Sequence, residues 1–385
     1  MTLAREPRTS PIVPSYGESS LADLSASVLA SLTGDAAANV LGLPEVGRVC
    51  LLLIDGLGLE LLRGHQAAAP FLAELAFNSR PLTAGCPSTT VTSLASLGTA
   101  LPPAAHGMLG YQVAVPGEGR LLNGLHWPDD IDPAAWQPRP TIFERATAAG
   151  VPAVLVSPRA YKNSGLTTAA LRGAEYRAAD SLGALAALTA DALAESSRTL
   201  VAAYHGDLDA TGHRYGVSSP AWVNQLAHVD KLAEQIAGSL PYGCAMYVTA
   251  DHGMVNVGPD DRVDADAEGS PLRDGVALLG GEPRLRHVYA RQGAADDVLA
   301  TWREAVGEHA WVVSREDAVK DGWFGPLGSA VSDAMGARIG DVVAACAGTW
   351  AVVATKAEPF ESSLVGMHGS LTVAEQLVPM LTPGR

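Results

Sequence analysis

Four short stretches set acidic or imidazole side chains beside glycine: LLLIDG (51–56), DATGHRYG (209–216), TADHGM (249–254) and GMHGS (366–370). They supply Asp55, Asp209, His213, Asp251, His252 and His368. Carboxylate oxygens and imidazole nitrogens together suit zinc, and less well manganese or iron. Asp209 and His213 are four residues apart, so one turn of helix places both on one face. The adjacent Asp251 and His252 require a sharp bend at Gly253. Any one of these pairs could be a capped loop, and it is their joint occurrence that argues for a metal centre. Six ligands exceed what one tetrahedral zinc accepts. Two ions about 4 Å apart would take three each, leaving a position for one further oxygen.

The stretch CPSTTVTSL (86–94) can supply that oxygen from Ser88, Thr89, Thr90, Thr92 or Ser93. A hydroxyl bound to a dication loses its proton near neutral pH, so it needs no histidine base beside it. Ser88 and Thr89 also suit the cap of a helix begun near Thr92. Cys86 reads as a small buried residue. Of the remaining histidines, His106 sits among turn residues in AAHGMLG, and the other six fall in no interpretable pattern.

These side chains need a rigid frame, and the chain is large enough to build one. It has 385 residues, of which 48% are hydrophobic. VGRVCLLLIDGLG (46–58), VPAVLVSP (151–158), TLVAAYHGDLDATG (199–212) and AMYVTADHG (245–253) read as buried strands alternating with helical stretches. This pattern predicts an α/β fold, with a mostly parallel central sheet and helices on both faces. Ligands of such sheets bind beyond the carboxyl ends of the strands, where these acids and histidines fall. Residues 1–45 read as a Pro/Ser-rich lead and a helix, and 46–280 with 336–385 as the core. Residues 281–335 read as a small α+β insert.

A net charge of −15 argues against nucleic-acid polymers and anionic membranes as partners. A small phosphorylated ligand remains compatible, because a bound dication reverses the field locally. With no apolar run at the start and four dispersed cysteines, a cytoplasmic setting is expected.

In order and rough spacing, LLLIDGLG, PSTT, TALPPAAHG, DATGHRYG, TADHGM and MHGS resemble the alkaline phosphatase superfamily, closest to its type I phosphodiesterase/nucleotide pyrophosphatase branch. The likeness covers roughly residues 46–256 and 336–380. It implies that Asp55, Asp251 and His252 hold one zinc together with the nucleophile, and that Asp209, His213 and His368 hold the other. With Pro87 as anchor, the implied nucleophile is Thr90, with Thr89 as competitor. Thr99, Pro103, His106 and Gly107 support the register, His106 as a structural residue outside the metal set. Ser93, three residues after Thr90, stands where the resemblance implies a donor to a phosphoryl oxygen. The Thr90 backbone N–H is a second source of that donation.

The implied activity is cleavage of a phosphodiester or pyrophosphate bond in a small phosphorylated substrate such as a nucleotide, through a phospho-threonine intermediate. No arginine lies within ten residues after Thr90, which disfavours a dianionic monoester, although Arg159, Lys162 or Arg214 could fold inward. A phosphomonoesterase or phosphotransferase of the same superfamily is the alternative, and a catalytically silent metal-containing binding protein a remote one. A sulfatase does not fit Cys86-Pro87-Ser88-Thr89. Tyr161, Lys162 and Asn163 in SPRAYKNSGLTTAALRGAEY are expected on a substrate-binding wall, with Trp127 as a stacking surface.

Overall fold

The computed structural model describes residues 10–329 and 331–383. The first nine residues of the expected N-terminal lead, on which the expectation about a leader also bears, lie outside the described residues. The chain runs through α1 (Leu21–Thr33), β1 (Arg48–Ile54) and α2 (Thr90–Thr99). After these come β2 (Ala153–Ser157), β3 (Glu175–Ala178), α3 (Leu182–Ala194), β4 (Thr199–His205), α4 (Asp207–Tyr215), α5 (Pro220–Gly238) and β5 (Cys244–Thr249).

These five strands form one parallel sheet in the order β3-β2-β4-β1-β5. Parallel strands covered on both faces need apolar side chains at nearly every position rather than alternation. The RVCLLLI of β1 and the CAMYVT of β5 meet that need and are buried almost throughout. One group of helices holds α1 and α2 together, and a second holds α3, α5 and α4. As expected, the core is an α/β sheet flanked by helices. Among the described residues, no helix is long and apolar enough to cross a membrane.

A smaller antiparallel sheet is built from β6 (Val276–Glu282), β7 (Leu285–Ala290), β8 (Ala310–Ser314) and β9 (Val342–Cys346), in the order β6-β7-β9-β8. Its helix α6 (Ala295–Val306) buries Val298, Trp302 and Val306 in a separate apolar cluster. The extent differs from the 281–335 read in the sequence, because β9, assigned there to the core, pairs with both β7 and β8. A buried apolar strand carries no mark of which sheet it joins; the cross-strand partners decide it.

Two buried ion pairs tie this sheet to the C-terminal segment. Arg284 donates twice to Glu375, at 3.0 and 2.6 Å, and Arg286 donates to Glu358 at 2.7 Å. Both guanidinium groups are fully buried.

Candidate metal centre

The register of the central sheet explains how distant acids meet. Ile54 of β1 lies opposite His205 of β4, and Leu53 opposite Thr249 of β5, so three adjacent strands finish at one level. Asp55 follows β1 directly, Asp251 follows β5 by two residues, and α4 starts just after β4. Asp209 and His213 sit one turn apart on α4, with His213 Nε2 3.3 Å from Asp209 Oδ2. His368 arrives from far along the sequence because an isolated antiparallel bridge pairs Gly369 with Ser88. Gly369 has φ +128, a backbone conformation that favours glycine, and any Cβ there would meet the Glu282 carboxyl group.

Two clusters result. Asp55, Asp251 and His252 present ligand atoms within 4.8 Å of one another, as do Asp209, His252 and His368. His213 joins the second cluster through Nε2, 3.2 Å from His368 Nε2. His252 therefore lies between the two groups, its ring stacked on that of His368 with centroids 3.6 Å apart.

All three imidazoles are oriented alike. The Nδ1 atoms of His213, His252 and His368 pair with the main-chain carbonyls of Gly366, Gly253 and Ser88, at 2.8, 3.0 and 3.1 Å. A carbonyl only accepts, so each Nδ1 carries the hydrogen and each Nε2 is left as a ligand atom.

The donor set fits dications. Asp55 Oδ1, Asp209 Oδ1 and Asp251 Oδ2 are buried without a hydrogen-bond partner, one oxygen on each carboxylate. Orphaned buried carboxylate oxygens are costly unless a cation meets them. Burial raises the Asp55 carboxyl well above the usual range, and the charges of Asp251 and Asp209 push the same way. Burial would also raise Asp209, but the imidazoles of His213, His368 and His252 outweigh it and hold that carboxyl low. Tyr204 donates a short hydrogen bond to Asp55 Oδ2.

Thr90 is the first residue of α2, and its Oγ1 lies 3.2 Å from His252 Nε2, on the wall of the cavity shared by Asp209, His213 and His368. Thr89 occupies the N-cap position, yet no side chain caps the helix. Thr89 donates instead to Glu282 at 3.2 Å, and Ser88 donates to the Ser370 carbonyl at 2.7 Å. The capping role and the start near Thr92 read in the sequence thus give way to longer-range bonds.

Other expected residues fall differently. Ser93 is buried and donates to the Asp251 carbonyl at 2.7 Å, so its hydroxyl hydrogen is not offered to a phosphoryl oxygen. Tyr161 packs edge-on against Tyr204, with ring centroids 5.8 Å apart. Lys162 and Asn163 are exposed, and none of the three lines the cavity. Trp127 packs against Trp136 and donates to the Ile131 carbonyl, and it does not line the cavity. His106 is buried between Ser96 and the Met108 amide, burial and then Arg338 lowering its pKa to about 3.

The sequence reading missed Tyr204, Glu282 and the cavity's outer wall. That wall consists of Tyr111, Leu125, Phe360, Glu361 and Leu364, in a cavity of about 800 Å³. Burial raises the Glu282 carboxyl to about 8. The one sequence signal for the wall was the apolar–acidic FESSL at 360–364, in a chain with only five phenylalanines.

Residues 49–371 match the model of the type I phosphodiesterase/nucleotide pyrophosphatase family. The chain belongs to that family. It is a hydrolase of the phosphodiesterase/pyrophosphatase type, and the family is metal-dependent. Among solved structures, it is similar to murine ectonucleotide pyrophosphatase/phosphodiesterase 5, with TM-score 0.69, 17% identity and 88% of each chain covered. An inactive threonine-to-alanine form of that murine protein, in complex with AMP, gives TM-score 0.68 at 16% identity, covering 86% of this chain and 87% of that one. Phosphonoacetate hydrolase from Sinorhizobium meliloti, in complex with phosphonoformate, gives TM-score 0.66 at 19% identity, covering 88% and 90%. No curated protein matches the sequence.

Proposed function

We propose that this family member cleaves small phosphodiester or pyrophosphate substrates through a phospho-threonine intermediate at Thr90, with two zinc ions as cofactor. The observation that carries the reading is the placement of Thr90 Oγ1 at the junction of the two ligand clusters, 3.2 Å from His252 Nε2. Asp55, Asp251 and His252 would hold one ion and Asp209, His213 and His368 the other. Bound dications would supply charge that favours the deprotonated hydroxyl and offsets the negative charge of the phosphoryl group.

The chain's own groups do the rest. In the first step the Thr90 hydroxyl gives its proton to water, a bond forms from Oγ1 to phosphorus and the bond to the leaving oxygen breaks; that oxygen gains a proton from water. Water then attacks phosphorus, the bond to Thr90 breaks, and the hydroxyl is restored. Because no side chain caps α2, its first-turn N–H groups remain as donors to a phosphoryl oxygen. That takes the place of the donor expected from Ser93. A small nucleotide is a reasonable first substrate, given the AMP bound to the murine relative. That relative's inactive threonine-to-alanine form also supports a threonine nucleophile.

The test is metal content together with hydrolysis of bis-p-nitrophenyl phosphate and p-nitrophenyl phosphate by the wild type and by Thr90→Ala. Two zinc ions per chain, faster diester cleavage and a silent variant support the reading. Faster monoester cleavage moves it to a phosphatase, and an active Thr90→Ala removes the threonine mechanism.

A further inference from the structure

We infer that the protein carries a second ligand site, one that takes a small phosphate-bearing anion at the end of α2 opposite Thr90. The inference goes beyond the proposed reaction and does not depend on it. The site is a cavity of about 380 Å³ lined by Pro138, Pro140, Glu144, Arg145, Ala148 and Arg172. None of these residues lines the cavity that holds Thr90, Asp209, His213 and His368. Arg145 reaches the carbonyl of Thr99, the last residue of α2, and roughly 14 Å of helix separates Thr99 from Thr90.

In a chain with 26 basic and 41 acidic side chains, two guanidinium groups share this one small cavity, and their charge is not cancelled locally. Glu144, the one acid in the lining, is already engaged. Its Oε1 accepts from Arg172 Nε at 3.2 Å and its Oε2 from the Thr141 amide at 2.8 Å. Glu144 and Arg145 are consecutive on the helix Ile142–Ala148, and consecutive helical positions do not face each other. Arg145 donates instead to the Thr99 carbonyl at 2.7 Å. That neutral acceptor leaves the charge of Arg145 and most of its N–H groups unused. Arg139, beside the two lining prolines in sequence, likewise donates to a carbonyl, that of Ala105, at 3.0 Å. Among the described residues neither Arg139 nor Arg145 pairs with a carboxylate. A guanidinium edge with free N–H groups matches two oxygens of a phosphate at once.

The walls are fixed before any ligand arrives. Arg172 donates to the carbonyls of Gln137, Ala169 and Arg139, at 3.0, 2.9 and 2.7 Å. Gln137 is fully buried; its Oε1 accepts from the Arg139 amide at 2.6 Å and its Nε2 donates to the Ala169 carbonyl at 2.8 Å. The helix Gly165–Leu171 lies close against α2, since a Cβ at Gly98 would sit 1.8 Å from the Ala170 carbonyl oxygen. Guanidinium groups held in this way bind an anion with little ordering cost. Pro138, Pro140 and Ala148 add apolar surface beside the charges, on which the carbon part of a phosphate monoester can rest.

Calorimetry on the zinc-loaded protein tests this, with phenylphosphonate as the probe because it has no ester bond to cleave. Whatever the metal centre binds is common to the wild type, Arg145→Gln and Arg145→Lys, so the comparison isolates the second site. A binding component of the wild type should weaken about tenfold or more in Arg145→Gln, and by less in Arg145→Lys, which keeps the charge. Superimposable isotherms for the wild type and Arg145→Gln would overturn the inference. So would equal losses in the two variants, which would trace the effect to a disturbed end of α2 rather than to charge. Inorganic phosphate is titrated alongside. Tighter binding of phenylphosphonate by the Arg145-dependent component supports a monoester resting on the prolines, and equal binding supports the site with free phosphate as its ligand.

Discussion

The Ser93 hydroxyl donates to the carbonyl of Asp251 at 2.7 Å, joining the helix that begins with Thr90 to the strand end that carries Asp251 and His252. The bond is fully buried, and its loss would leave the Asp251 carbonyl without this donor. Ser93→Ala is expected to destabilise the protein by about 1–3 kcal/mol. Under the proposed function it should also lower kcat more than it raises KM, because it loosens Thr90 against its ligands. Denaturant melts and steady-state kinetics would show this; unchanged stability would mean that the bond contributes little.

Thr90→Ala removes the proposed nucleophile but none of the six acidic and imidazole ligands. Turnover should fall by about a thousandfold or more, with both metals retained. Thr90→Ser should keep measurable activity. Loss of metal in Thr90→Ala would instead assign the hydroxyl a ligand role above a chemical one.

Removing His213 separates the two clusters. His213→Ala should bind about one metal per chain where the wild type binds two, since Asp55, Asp251 and His252 are untouched. Elemental analysis after dialysis decides it, and two tightly held ions in the variant would refute the assignment of His213.

Without metal, stability should fall as pH rises from about 6.5 to about 9. Burial raises Glu282 to about 8, so the folded state holds a proton there that the unfolded chain has already released. Burial would lower His213, but Asp209 outweighs it and raises the imidazole to about 9; that stability is complete below the unfolded value and lost through about 9. Both groups bind more protons folded than unfolded in this window, so the slope is negative. The lowered His106 and His287, at about 3 and 4, act below it. Thermal melts in chelator across this range should show the decline, and Glu282→Gln should flatten it.

The Arg284–Glu375 pair braces the loop that carries His368. Glu375 also accepts from the Ser370 amide and the Thr372 hydroxyl, and its carbonyl accepts from the Gly253 amide beside His252. Glu375→Leu should cost about 3–5 kcal/mol because it strands a buried guanidinium. Adding Arg284→Met should recover part of that loss, as unfolding measurements on the single and double variants would reveal.

What the sequence disclosed follows from physics that is local along the chain. Buried parallel strands must be apolar at nearly every position, so the runs ending at Ile54, His205 and Thr249 stood out, and with them Asp55, Asp209 and Asp251. Asp209 and His213 were readable because helical spacing alone sets their relation. Tyr204, Glu282, Glu375 and Glu361 were not, since each acts through a partner brought near only by folding. Ser93 was misplaced for a related reason: counting from Thr90 cannot tell which side of α2 faces the Asp251 turn. β9 carried no sign of its sheet, and Tyr161, Lys162 and Asn163 were drawn to the site by polarity alone.

Each of the three imidazoles is paired at Nδ1 with a peptide carbonyl. No single substitution deletes a peptide carbonyl, so no side-chain exchange removes the acceptors that hold these three rings. The outer wall is drawn from two stretches of chain, around Tyr111 to Leu125 and around Phe360 to Leu364, whose side chains can be exchanged one at a time. Such a division makes new selectivities accessible to this scaffold without rebuilding its chemistry.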